Sequence, residues 1–279
     1  LLPVPDDINP LSVYIGNPFL KPEYSHNLFG HFMFFDQFSF TSLFTSFQLS
    51  YVHDKINFSK TIHPDLTETY TMVNVDHDVI ATIGTDLNTP IRPLKINLTV
   101  DLSETYNNGT NFVNDQENTI NAFTHKIGLS IDNRKKEIVN ASLGGNLRFT
   151  QTNYSIETGQ QSNYVTNSVY LDLSVTPDSL WRFAFNGEIS EYRVSGFEES
   201  TIVPLLTAEV SRYILPSNRG TITLKAYDLL NKNTGISQSG AYNYLMRQQS
   251  NTIGRYFMLS FKYRINKAEQ ASTVDVIVN

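Results

Sequence analysis

The stretch RYFMLSFKYRI, residues 255–265, decides how the chain is read. Phe257, Leu259, Phe261, Tyr263 and Ile265 fall on one side of an extended backbone. Tyr256, Met258, Ser260, Lys262 and Arg264 fall on the other. Alternation with period two marks a β-strand with one apolar and one wet face. The fold turns on what covers the apolar face, a second protein layer or lipid.

The same pattern recurs upstream. Leu94 to Leu102, Val139 to Phe149, Val169 to Val175, Trp181 to Ile189 and Ile222 to Ala226 each alternate apolar residues with polar or small ones. No stretch shows helical spacing, so the chain reads as all β. About eleven strands are predicted, centred near residues 30, 47, 78, 98, 127, 145, 171, 185, 209, 225 and 260. Their connections alternate in length. Short turns fall at Asp36–Ser39, Pro90–Pro93, Asn133–Glu137, Pro177–Ser179 and Pro216–Gly220. Longer polar segments fall at Asn57–Glu68, Asn107–Asn118, Glu157–Asn163, Gly196–Thr201 and Asn231–Asn251. Short turns on one rim and long loops on the other are the habit of outer-membrane barrels.

Composition narrows the choice. Of 279 residues, 17 % are charged, below the roughly 25 % usual in soluble domains, and 40 % are apolar. No window approaches the roughly 20 continuous apolar residues of a helical span. Several runs alternate over about 10 residues, the length a tilted strand needs to cross a bilayer, and their wet faces carry Ser, Thr, Asn and Gly. A net charge of −6 argues against nucleic acid as a partner. The absence of cysteine excludes disulfides, thiolate metal sites and cysteine nucleophiles. The opening LLPVPDDINP has no basic start followed by an apolar core, so we expect a mature chain or a fragment.

Two segments carry a resemblance. GNPFLKPEYSHNL, residues 16–28, resembles the N-P-x-L-K-P-E element of TonB-dependent outer-membrane receptors, through Asn17, Pro18, Leu20, Lys21, Pro22 and Glu23. Residues 227–265 resemble the closing hairpin of the Bacteroidetes-type outer-membrane β-barrel family, a branch of those receptors. The matching positions are Asp228, Leu229, Leu230 and Asn231 in the turn, and Arg255, Tyr256, Phe257 and the following residues to Tyr263 in the last strand. The resemblance implies an antiparallel transmembrane β-barrel in the bacterial outer membrane. It places residues 1–22 in an external loop segment, short turns on the periplasmic side and long loops outside. Leu259, Phe261, Tyr263 and Ile265 then face lipid, and Ser260, Lys262 and Arg264 face the lumen.

Such a receptor has about 22 strands and a plugged lumen. The eleven expected here make half a wall, over residues 1–267, followed by a short tail, 268–279. The implied role is import of a scarce solute, such as a nutrient, metal chelate, glycan or peptide, without covalent chemistry or a cofactor. The implied partners are outer-membrane lipid, the missing N-terminal barrel half with its plug, the energy-coupling protein through that plug, and surface lipoproteins or other envelope subunits. The alternatives are a non-transporting barrel subunit or scaffold of an envelope assembly, and a soluble β-sandwich binding module.

Other residues read blandly. Asn74, Asp76 and Asp78 form one column, with His77 opposite, and two carboxylates are few for a cation site. The six histidines lack metal-site spacing, and no G-x-S-x-G elbow occurs. Asp172, Glu188 and Glu209 are expected to meet Lys225, Lys262 and Arg264 in a ladder that pins strand register. The basic run Asn133–Glu137 sits in a turn. Phe32, Phe34, Phe47, Tyr51, Trp181, Phe257 and Tyr263 are expected in interfacial girdles.

Overall fold

The computed structural model describes residues 12–65, 67–135, 138–156, 162–194, 200–241 and 244–265. The expected tail 268–279 and the first eleven residues of the N-terminal loop segment lie outside them, as do parts of the turns near 136 and 197. All eleven expected strands form. They are β2 (Tyr24–Asp36), β3 (Thr41–Ile62), β4 (Glu68–Ile91), β5 (Ile96–Val113), β6 (Gln116–Asn133), β7 (Val139–Tyr154), β8 (Ser162–Val175), β9 (Trp181–Val194), β10 (Thr201–Ile214), β11 (Gly220–Tyr227) and β14 (Tyr256–Tyr263). A short β1 (Ser12–Ile15) adds to the same sheet, and β12 (Ile236–Ala241) pairs with β13 (Tyr244–Gln249) as a separate hairpin. From β2 onward the main sheet is an antiparallel meander, each strand beside its sequence neighbour and β14 beside β11.

Register aligns the alternating residues into two continuous faces. Phe261 opposes Ile222, and Leu259 opposes Leu224. Val210 continues the row to Phe183, and Phe183 to Val175. Leu143 opposes Leu171 and Ile131, Val100 opposes Leu129 and Leu87, and Leu43 opposes Leu87 and Phe34. Nothing among the described residues covers this face. Leu259 is 74 % exposed and Phe261 62 %, and among the described residues the buried apolar ones are Val75, Ile120, Ala122 and Tyr164. A sandwich packs a second layer on its apolar face. Among the described residues this sheet has none. Hydroxyls stranded on the apolar face pair with each other, Thr45 with Thr85 at 3.2 Å and Thr41 with Thr89 at 2.8 Å.

The five short turns fall where expected, on one rim. The expected long loops at Asn57–Glu68 and Asn107–Asn118 do not form, and those at Glu157–Asn163 and Gly196–Thr201 lie largely outside the described residues. β5 and β6 run past Asn107 and Asn118 to a two-residue turn at Asn114 and Asp115, both left-handed (φ 50° and 60°), the geometry of a type I′ hairpin. The segment Asn57–Glu68 is likewise mostly strand. Their polar composition reads as loop in the sequence, but those residues pair in tall hairpins. β3 and β4 have 22 and 24 residues, about 70–80 Å at ~3.3 Å each, where about 10 suffice to cross a bilayer.

The tall β3–β4 hairpin turns over on itself. Its ladder runs to His53 opposite His77 and resumes at Lys55 opposite Val75, skipping Asp54, whose φ is +52°. Below this twist β4 lies between β3 and β5, paired to β5 from Ile91 up to Val79. Above it β3 lies beside β5, with Ser59 opposite Phe112, and β4 meets β1 instead. Two-stranded ribbons twist more than wide sheets, and a left-handed residue concentrates the twist. The upper β3 is tied down by Asn57 donating to the Thr110 carbonyl at 2.7 Å and by Ile62 N–H donating to Asn114 Oδ1 at 2.8 Å.

The sheet does not close. Among the described residues β2 pairs only with β3, and β14 only with β11. β2 also breaks the alternation. Its wet-face positions include Phe29, His31, Met33 and Phe35, and Phe44 stands opposite Met33. Phe29, Met33 and Phe35 are 66, 74 and 55 % exposed.

Candidate functional site

The N-P-x-L-K-P-E residues act as staples at the twist. Asn17 donates from its side-chain amide to the Met72 carbonyl at 2.9 Å and accepts from Phe19 N–H at 2.9 Å, which sets the turn before Leu20. Lys21 N–H donates to Asn74 Oδ1 at 2.7 Å, and the Asn74 amide donates back to the Lys21 carbonyl at 3.0 Å. The same amide donates to the Asp54 carbonyl at 2.7 Å, holding the left-handed residue in place. Glu23 accepts from the Lys55 ammonium at 2.9 Å and from Ile56 N–H at 2.7 Å. The hydrogen bond from Lys55 is the main cause that holds the Glu23 carboxyl below its ordinary range near 4.5, against a partial opposing effect of burial. Pro18, Leu20 and Pro22 make no side-chain hydrogen bonds, and the prolines withhold donors where the segment runs unpaired.

Asn74 belongs to the column whose two carboxylates are few for a cation site, and alternation alone gives no sign of its role as a partner to the staple. Its amide is fully used by backbone groups, Asp76 contacts His77 Nδ1 at 2.9 Å, and Asp78 is buried. No group of three or more metal-ligating side chains exists among the described residues. The sequence did carry a signal. Asparagine is depleted in strand interiors, and one in a strand run marks a site that asks for its amide.

The closing hairpin uses the same device. Asp228 is fully buried at φ +50°, and its carboxylate accepts from Lys232 N–H at 3.1 Å and Asn233 N–H at 3.0 Å. Asn231, also left-handed, donates its N–H to the Asp228 carbonyl and accepts from Arg255 N–H at 2.9 Å. Leu229 N–H donates to the Leu206 carbonyl, while Leu230 is exposed. Tyr256 stacks on Tyr227 at 5.0 Å where β14 begins. These residues fasten the base of the β12–β13 hairpin to β10 and to the start of β14.

The wet face carries less of a charge ladder than expected. Glu209 stands opposite Lys225, yet its ion pair is with Arg182 at 3.6 Å. Asp172 accepts from Asn186 at 2.6 Å and Glu188 from Ser190 at 3.0 Å. Lys262 lies opposite Thr221, and Arg264 offers its backbone N–H to the Arg219 carbonyl. Strand β10 stands between Glu188 and these cations, and β9 and β10 stand between Asp172 and them, so amides and hydroxyls serve the carboxylates instead. On the same face Asn146, Ser168, Tyr170, Asp172, Asn186 and Glu188 are among the residues around a polar hollow of about 340 Å³.

The aromatic girdle forms in part. Trp181 stacks with Phe183 at 6.1 Å and receives Arg212 over its ring at 5.1 Å, beside the short-turn rim. Tyr51 stacks on His77 at 5.8 Å toward the other rim. Phe47 does not belong to a girdle. Its ring lies mid-strand across Gly30, where a Cβ would come within 2.1 Å of it.

Comparison with known families follows this geometry. A search of curated proteins returns no match. The model of a family described as outer membrane protein beta-barrel matches residues 1–263. The chain belongs to that outer-membrane β-barrel family, and its place is the bacterial outer membrane.

Proposed function

We propose that the chain is the C-terminal part of a TonB-dependent transporter barrel that takes up a scarce solute. The observation that carries the reading is β2, an open edge strand with apolar side chains on both faces. In hydrocarbon every edge N–H and C=O needs a partner, at several kcal/mol for each one left unpaired. The two free edges, β2 and β14, therefore call for further strands. Phe29, Met33 and Phe35 on the wet face call for a protein surface inside the wall, as a plug would supply. The twisted hairpin and the stapled N-P-x-L-K-P-E segment support the same reading, since both hold an unpaired loop segment firmly against one rim. In this reading the tall hairpins stand outside the cell and the short turns face the periplasm.

The test is uptake by cells carrying and lacking the complete polypeptide, grown in medium of defined composition. Transport predicts at least one solute that is depleted only when the protein is present and the inner membrane is energised. Identical depletion profiles, with or without a protonophore, would overturn transport in favour of a scaffold role.

A further inference from the structure

A second site stands on the wet face between β6 and β7. Lys126 lies directly opposite Arg148, and Arg148 directly opposite Thr166 on β8. Like charges facing each other across a ladder destabilise it unless something negative sits between them. No protein group does so: neither cation makes an ion pair or hydrogen bond among the described residues. The nearest carboxyls in register, Asp101 and Asp86, stand one row away and face each other across β4 and β5. The hydroxyls in the neighbouring row, Thr124 and Thr150, are likewise closed on each other at 3.1 Å.

Two donors here are left over. Arg148 Nε and Thr166 Oγ1 are shielded from solvent and have no partner. A buried, unpaired guanidinium N–H is costly, and it calls for an acceptor from a bound water, ion or ligand. Arginine's planar fork suits two oxygens of one group, and the Lys126 ammonium adds a point charge beside it. Ser103, opposite Lys126, adds a further hydroxyl to the row.

We infer that Lys126, Arg148 and Thr166 form an oxyanion-binding site on the luminal wall, taking the phosphate or carboxylate of a small solute. The inference goes beyond the transport reading, because it needs only that this face be aqueous. Its failure leaves the transport test standing, and the reverse also holds.

The test is titration of the purified full-length protein in detergent with inorganic phosphate, followed by calorimetry. Arg148→Gln, Lys126→Gln and Thr166→Val are compared with Lys225→Gln, a luminal lysine that already faces Glu209. Circular dichroism checks that each variant keeps its sheet. Saturable binding is expected, weakened about ten-fold or more in R148Q and K126Q, as for loss of a charged hydrogen bond. T166V should weaken it less, and K225Q should leave it unchanged. Absence of saturable binding, or an equal loss in K225Q, means an adventitious ion only and overturns the site.

Discussion

Gly30 shows how closely a single residue is fixed by its neighbour across the ladder. A methyl group there would enter the Phe47 ring, which covers the glycine on the apolar face. Gly30→Ala should therefore destabilise the protein by about 1–3 kcal/mol, as overpacking does, in reversible unfolding from lipid. Adding Phe47→Leu should recover most of the loss. An equal loss in the double variant would mean that the ring is not the obstacle. Glu23 is the second case at this scale. Its carboxyl titrates lower when folded than in the unfolded chain, so its contribution is complete above the ordinary value of about 4.5. That contribution is lost as pH falls through the depressed folded value. Protease access to residues 17–23 should rise on acidification below about pH 4 in the wild type. In Glu23→Gln it should be high at neutral pH and change little, and a parallel pH response in both would remove Glu23 from the staple.

At the scale of elements, hairpins are fastened by single buried polar groups. Asp228→Ala would strand two amide donors, Lys232 and Asn233 N–H, at a cost of about 1–3 kcal/mol. The local consequence should be cleavage between residues 231 and 255 at protease concentrations that spare the wild type. Unchanged cleavage would show that Asn231 alone holds the base. The last strand tests the two faces directly. Leu259→Lys or Phe261→Lys should cost roughly 2–4 kcal/mol in refolding into lipid, and Ser260→Lys much less. Equal penalties would cancel the assignment of the apolar face to lipid.

At the scale of the whole molecule, the question is what meets β2 and β14. The chain has no cysteine, so pairs of introduced cysteines report cleanly. One cysteine scanned through Leu28, Phe32 and Phe34 is combined with another scanned through Phe257, Leu259 and Phe261. In the native membrane, mild oxidation should give no internal disulfide for any pair, because half a wall keeps these strands far apart. A high-yield internal disulfide would mean that the eleven strands seal into a small barrel by themselves, and the half-receptor reading would fall.

The sequence by itself determined the all-β class, the eleven wall strands, the short turns and the two faces of the strands that alternate, though not those of β2. Alternation is a local property, written every second residue, and β14 declares it within eleven positions. It also marked Asn17, Lys21, Glu23, Asp228 and Asn231 through resemblance, without saying what they do. Only the tertiary structure showed Asn17, Lys21, Glu23 and Asn231 accepting or donating hydrogen bonds across 24 to 55 residues of chain, as Arg255 with Asn231 and Asn17 with Met72 do, and Asp228 closing a local turn onto Lys232 and Asn233. Polar runs such as Asn57–Glu68 misled, because hairpins standing in water need no apolar face and so look like loops. The exchange of β3 and β4 at Asp54, the unpaired edges and the facing cations Lys126 and Arg148 were likewise decided in three dimensions. Each depends on which distant backbone supplies the hydrogen-bond partner, and period-two alternation carries no record of that choice.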